Sequence, residues 1–130
     1  MSGVEHLAER HLPACRRLQR LLDEPSPRLL DPPLVVDGYV SLADGRPVGY
    51  VVAVGDAERH VAELVVHPDF RRSGRGRALL ERALEGSRRA TVAVAPDNDA
   101  ARSLYESLGF EERDRRDDYF ESGTALLLAR

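Results

Sequence analysis

Between Glu63 and Leu80 the chain reads Glu-Leu-Val-Val-His-Pro-Asp-Phe-Arg-Arg-Ser-Gly-Arg-Gly-Arg-Ala-Leu-Leu, and no other stretch limits the fold as sharply. Its first residues are strand-like and Pro68 interrupts them. Beyond Gly74, Leu79, Leu80, Ala83 and Leu84 recur at helical spacing up to Gly86. A strand that passes through a glycine-rich turn into a helix aims the helix's first N–H groups, which lack intrahelical acceptors, at whatever lies in the turn. With Arg71, Arg72, Arg75 and Arg77 around them, that place suits an anion and above all a phosphate. Gly74 and Gly76 let a ligand come close to the backbone.

The spacing narrows the ligand. A nucleotide P-loop needs a lysine, and every one of the 19 Lys+Arg residues is arginine. A dinucleotide fingerprint needs a small residue three positions after Gly76, where Leu79 stands, and more strand–helix repeats than the chain has left. The arginine cluster has no interleaved aromatic except Phe70, and the net charge is −3, so nucleic acid is not the expected partner. His6, His11, His60 and His67 show no metal-ligand spacing with the single Cys15, so no metal is expected; Cys15 falls on an apolar helical stripe and reads as packing. No apolar run approaches the roughly 20 residues of a membrane span, and Met1 to Arg10 has no signal-peptide core. The expectation is a cytoplasmic protein with no membrane partner.

The remainder of the 130 residues arranges itself around that unit as a single domain spanning 1–130. A short strand is expected around Val4 to Leu7. Leu12, Cys15, Leu18, Leu21 and Leu22 mark an amphipathic helix starting near Pro13. Asp23 to Pro33 carries four prolines and reads as an extended loop, the segment best suited to move. Leu34 to Ala43 and Pro47 to Val54 form a hairpin about Asp44-Gly45-Arg46, and Gly55-Asp56 turns into His60 to Val66. After the helix from about Arg75 to Glu85, Thr91 to Ala95 is a strand. Ala101, Leu104, Tyr105 and Leu108 mark a second helix, capped by Asp97, Asn98 or Asp99 and stopped by Gly109. Phe110 to Asp117 and Thr124 to Ala129 close the chain as an antiparallel pair. The alternating signs from Arg113 to Asp118 mark a solvated edge, while Ala125 to Ala129 offers an exposed edge for a homodimer.

Two motifs stand at a telling distance: Arg71-x-x-Gly74-x-Gly76 after Val66-His67-Pro68, and Asn98-x-x-Ala101-x-x-Leu104-Tyr105-x-x-x-Gly109-Phe110 some twenty residues later. Together they resemble the GNAT superfamily of acetyl-CoA-dependent N-acetyltransferases. The resemblance covers Glu63 to Phe110 closely and the flanks by element order. It implies a three-layer α/β (α+β) fold, with a mixed, mostly antiparallel sheet of six to seven strands whose splayed parallel pair admits the pantetheine arm. It also implies that Leu64, Val65 and Val66 bond the pantetheine through their backbone. By the same resemblance, Arg71, Arg72, Ser73, Gly74, Arg75, Gly76 and Arg77 hold the pyrophosphate, Asn98 contacts the cofactor arm, and the Tyr105 hydroxyl lies near the thioester sulfur.

The reaction so implied is attack by a neutral amine on the thioester of acetyl-CoA. It needs a deprotonated amine, a stabilised oxyanion and a proton for the leaving thiolate. A phenol such as Tyr105 can supply that proton, and a backbone N–H around Val66 can face the oxyanion. Arg115-Arg116-Asp117-Asp118-Tyr119-Phe120-Glu121 and Ala125-Leu126 resemble the ending of the RimI-type N-terminal alanine acetyltransferases, but Ala93 stands where that subgroup carries a glutamate as proposed base. Glu63, two residues from Val65 on the splayed strand, is the base expected in its place. The acceptor is a small-molecule amine or a peptide N-terminus. Tyr119 and Phe120 either line its pocket or cover the sheet. The other reading is an acyl-CoA-binding sensor without turnover.

Overall fold

Seven strands form one mixed sheet in the computed structural model, which describes residues 3–34 and 36–130. In chain order the elements are β1 (Gly3–His6), α1 (Leu12–Gln19), β2 (Asp37–Ala43), β3 (Arg46–Gly55), β4 (Glu58–Val66), α2 (Arg75–Ala83), β5 (Arg89–Val94), α3 (Asp99–Ser107), β6 (Glu111–Phe120) and β7 (Gly123–Ala129). Neighbours run β1-β2-β3-β4-β5-β7-β6, and every pairing is antiparallel except β4 with β5. That one parallel contact is the product of the β4–α2–β5 crossover, for which a helix is the usual connection. This is the mixed sheet with a parallel pair that the motifs implied.

The helices divide the core. Leu79, Leu80 and Ala83 of α2 and Tyr105 of α3 pack with Val51, Val61, Val92, Val94, Phe110, Leu126 and Leu128 on one face. Leu12, Cys15 and Leu18 of α1 pack with Leu30, Val40, Tyr50, Val52 and Val65 on the other. So α1 covers the β1–β4 half of its face, whereas no helix among the described residues packs on the β5–β7–β6 half. Burial pushes the Cys15 thiol up to about 12, the environment of a packing residue. No helix of the described chain is long and apolar enough to cross a membrane.

Three departures from the sequence expectations matter for the site. First, β7 lies between β5 and β6 with both edges hydrogen-bonded, so Ala125 to Ala129 is not a free edge and cannot join a second copy there. On this side of the sheet the edge strand is β6, whose residues from Glu111 to Tyr119 are all exposed. Second, the proline-rich Asp23 to Pro33 contains a 3-10 turn at Pro27–Leu30 and is tied down: Leu30 is fully buried and its carbonyl accepts from Arg16 at 3.1 Å. Third, the first expected hairpin strand begins at Asp37; Leu34 precedes it and Val35 lies outside the described residues.

Where β3 ends, Gly55 has φ +99°, and a Cβ there would stand 2.1 Å from the carbonyl oxygen of Glu58. Both the left-handed backbone and the backbone collision oppose a side chain. We therefore expect Gly55→Ala to lower the unfolding free energy by about 2–4 kcal/mol, read as a shift in the urea midpoint. An unshifted midpoint would show that the turn relaxes freely.

Candidate active site

The parallel pair is short. β4 and β5 match only from Glu58↔Arg89 to Val61↔Val92, although β4 continues to Val66 and β5 to Val94. Beyond that vertex they splay apart. The N–H of His67 donates to Val48 at 2.8 Å, which sets the alternation of the β3–β4 ladder. Glu63 and Val65 turn their backbone groups to β3, and Leu64 and Val66 turn theirs into the gap. The Val66 carbonyl is already taken by Arg71 Nε at 2.9 Å. Of the three strand residues expected to contact a ligand by backbone, then, Leu64 and Val66 face the opening.

At the mouth of the gap stands the N-terminus of α2. Gly74 is its N-cap, with φ +80°. Arg72 is also left-handed at φ +64°. The helical ladder starts only with Ala78 N–H to Gly74 at 3.0 Å, so the first-turn N–H groups have no intrahelical acceptor. The guanidinium groups are mostly engaged within the fold. Arg75 donates to Ser41 Oγ (2.9 Å) and the Leu42 carbonyl (3.2 Å), and Arg77 donates to Ser107 Oγ at 3.0 Å. The Ser73 hydroxyl donates to the Phe70 carbonyl at 2.8 Å. Gly76 approaches not the gap but Leu104 of α3, which a Cβ would meet at 3.3 Å. Arg72 is exposed and is the cation of this turn whose side chain makes no hydrogen bond or ion pair among the described residues. Asn98 caps α3, its Oδ1 accepting from Ala101 N–H at 3.2 Å, which selects one of three sequence candidates and leaves its amide NH2 outward. Tyr105 is 4% exposed, edge-on to Phe110 at 5.3 Å between centroids, and burial pushes its phenol up.

On the opposite face, over the uncovered half of the sheet, a cleft of about 590 Å³ lies between the loop after α1 and the β6–β7 turn. Asp23, Glu24 and Glu121 stand on its rim; Ala62 and Ala93 are in its floor, and Tyr119 and Phe120 in its wall. The rim is joined across the chain, because Ser122 donates to Glu24 through its N–H at 3.1 Å and through its hydroxyl. Tyr119 and Phe120, with two sequence readings open, line this cleft.

Glu63 is on the same side but beneath the lining. It is 5% exposed, and three donors meet its two oxygens. Tyr50 Oη donates to Oε1 at 2.8 Å, Ser26 N–H to Oε2 at 2.7 Å, and Gln19 Nε2 to both at 3.0 and 3.3 Å. Gln19 Nε2 spends its other hydrogen on the Ser26 carbonyl at 3.0 Å, so Glu63 receives three hydrogens, one of them shared between its two oxygens. The Tyr50 phenol is pushed up by burial and then by Glu63. Sequence reasoning missed Gln19, Ser26 and Tyr50; the one signal was Gln19, a polar residue on the otherwise apolar stripe of α1.

A mixed sheet with a splayed parallel pair and an open helix N-terminus is one observation; the other is a match of residues 37–112 to the acetyltransferase (GNAT) domain model. The chain belongs to the GNAT family. Among GNAT relatives, an uncharacterized N-acetyltransferase of Methanocaldococcus jannaschii is 35% identical over 92 residues, which cover 60% of this chain and 41% of the relative. The [ribosomal protein bS18]-alanine N-acetyltransferase of Escherichia coli strain K12 is 41% identical over 68 residues, 48% of this chain and 46% of that protein. The matched stretches thus span less than half the length of these curated relatives. The crystal structure of the Escherichia coli ribosomal-protein-S18-alanine N-acetyltransferase superposes with a TM-score of 0.85 at 26% identity, covering 99% of this chain and 92% of that one. An Arabidopsis thaliana Naa50 structure gives 0.87 at 16% identity, covering 99% and 97%, a likeness of fold.

Proposed function

We propose that this GNAT chain transfers the acetyl group of acetyl-CoA to a primary amine, and that a peptide N-terminus is the preferred acceptor over a small-molecule amine. The observation that carries this reading is the gap between β4 and β5, which has an anion-ready helix N-terminus at one mouth and the acid-rimmed cleft on the other face. The residues present fit a CoA thioester. The α2 turn offers first-turn N–H groups that have no intrahelical acceptor and Arg72 for the pyrophosphate, and Leu64 and Val66 offer backbone groups to the pantetheine. When bound, acetyl-CoA supplies the activated acyl carbon. The chain's part is to hold that carbon in the gap near the vertex, to face its oxygen with the Leu64 N–H, the nearer of the two gap-facing N–H groups, and to bring the Tyr105 proton to the departing sulfur.

The acceptor preference rests on the cleft. Asp23, Glu24 and Glu121 favour an ammonium group, and the apolar wall of Tyr119 and Phe120 suits a side chain next to it. The likeness to the bS18-alanine enzyme supports the same choice. The roles of the site residues are part of this proposal, and in it Glu63, buried with both oxygens hydrogen-bonded, acts as a positioning residue and not as the base. It ties β4 to the loop that walls the cleft.

The test is calorimetric titration with acetyl-CoA, followed by thiol release with a panel of N-terminal peptides, polyamines and amino sugars. Saturable binding with turnover on a peptide supports the proposal. Binding without turnover on any acceptor returns the sensor reading, for which Ala93 in place of a carboxylate is the argument. Absence of binding overturns both.

A further inference from the structure

Nothing described so far removes the amine's proton. Ala93 cannot, and Glu63 is 5% exposed beneath the cleft lining with both of its oxygens hydrogen-bonded. The β3–β4 register shows what the chain has instead. Val52 pairs with Glu63 but Ala53 pairs with Val61, so Ala62 is an extra residue in β4, a bulge. The bulge reverses the alternation there. Val61 faces the α2–α3 core, and His60 turns to the opposite face, where the cleft lies. His60 pairs with Thr91 one step behind Val61↔Val92, the last contact before the strands splay. Resting on the acetyltransferase reading above, we propose that His60 is the general base of this site, its Nε2 taking a proton from the acceptor ammonium while Thr91 fixes the ring.

Four observations converge on it. The His60 ring lines the 590 Å³ cleft together with Ala93, and also a second cleft of about 400 Å³ over β5, β6 and β7, so it stands where the two meet. Its Nδ1 lies 2.9 Å from Thr91 Oγ1, which orients the imidazole and leaves Nε2 for another partner. It is half-buried at the vertex to which an acyl group reaching down the gap comes nearest. Burial also holds its proton affinity below the ordinary value, which favours the neutral ring that a base must be. The charged groups facing it from β6 are Arg113, Asp114 and Arg116, with the Tyr119 phenol. From the rim of the larger cleft they are Asp23, Glu24 and Glu121. Arg113 is paired with Glu111 and Arg116 with Asp114, so the charge left facing the ring is that of the acidic rim, which favours an ammonium acceptor.

The protons balance. His60 takes one proton of the acceptor's R–NH3+, and the freed nitrogen lone pair forms the N–C bond as the C–S bond breaks. The sulfur receives the Tyr105 proton, the new amide gives up a second N–H proton to restore the phenol, and His60 releases its own to water. One proton leaves per turnover, with N-acetyl product and CoA thiol.

The experiment compares the full chain with His60→Gln and Thr91→Val on the best peptide acceptor from pH 5.5 to 8.5, with CoA affinity measured alongside. For wild type, kcat/KM should rise through a limb below pH 6.5 and then level. For His60→Gln it should be about 100-fold lower at pH 6.5 and climb about tenfold per pH unit toward the acceptor's own pKa near 8, with CoA binding within twofold. Thr91→Val should move the limb and lose about tenfold. In the wild-type protein loaded with CoA, histidine-ring NMR signals of His60 should shift on adding the peptide. If His60→Gln keeps the rate and the pH profile, the assignment falls and the acetyltransferase reading stands. If wild type binds acetyl-CoA and transfers to nothing, both fall. Should His60→Gln lose CoA binding through misfolding, a His60 ring signal that ignores the peptide overturns the assignment.

Discussion

Glu63→Leu should lower the unfolding free energy by about 3–5 kcal/mol and the melting temperature by roughly 10–20 °C. The substitution leaves the Tyr50 hydroxyl, the Gln19 amide and the Ser26 N–H without the acceptor they share, and the first two are buried. Each orphaned buried donor costs about 1–3 kcal/mol, more than the modest net gain of making such a bond. Tyr50→Phe alone removes one donor and should cost about 1–2 kcal/mol. The Tyr50→Phe, Glu63→Leu double variant should be less damaged than the sum, because the orphaned phenol is gone. Urea denaturation of the four proteins measures this. A loss under 1 kcal/mol for Glu63→Leu would show that the donors find water readily, and would restore Glu63 as a carboxylate available for proton transfer.

Tyr105→Phe should reduce kcat about 10²–10³-fold while acetyl-CoA affinity stays within twofold. The ring packs among Val94, Leu79 and Phe110, and phenylalanine preserves that packing, so the measurement isolates the hydroxyl. The sign of the pH effect follows from burial. With the phenol pushed above its ordinary value of about 10, Tyr105 keeps its proton throughout the working range, and no alkaline fall in kcat below pH 10 should come from it. An unchanged kcat would make Tyr105 a core residue and place the source of the thiol proton in solvent.

Much of the site was written locally. The strand, the Arg71 to Arg77 turn and α2 follow from glycine positions and apolar spacing over eighteen residues, and Asn98 caps α3 by a short-range bond. What escaped sequence reasoning depends on partners far along the chain. Strict alternation puts Glu63 opposite His60, and only the extra residue at Ala62, defined by its pairing with β3, brings both to one face. The filling of Glu63 by Tyr50, Gln19 and Ser26 joins three separate elements and leaves no motif. The position of β7 was legible in part: Glu111 to Asp118 is charged throughout while Ala125 to Leu128 is apolar, and an apolar strand belongs inside a sheet. Reading the pair as a simple hairpin at the edge overlooked that contrast.

That strand order also governs when the molecule can take shape. Between the ribosome and the finished sheet, β5 has no second neighbour until Gly123–Ala129 has emerged, because the strand that pairs with it is made after the one that lies outermost. The first four strands can pair in the order they are made, β2, β3 and β4 as successive hairpins. The wall carrying Thr91, Ala93 and Val94 waits, with an unpaired row of N–H and C=O groups, for residues some thirty positions later. Nascent chains stalled before residue 123 should therefore be the species most prone to aggregate.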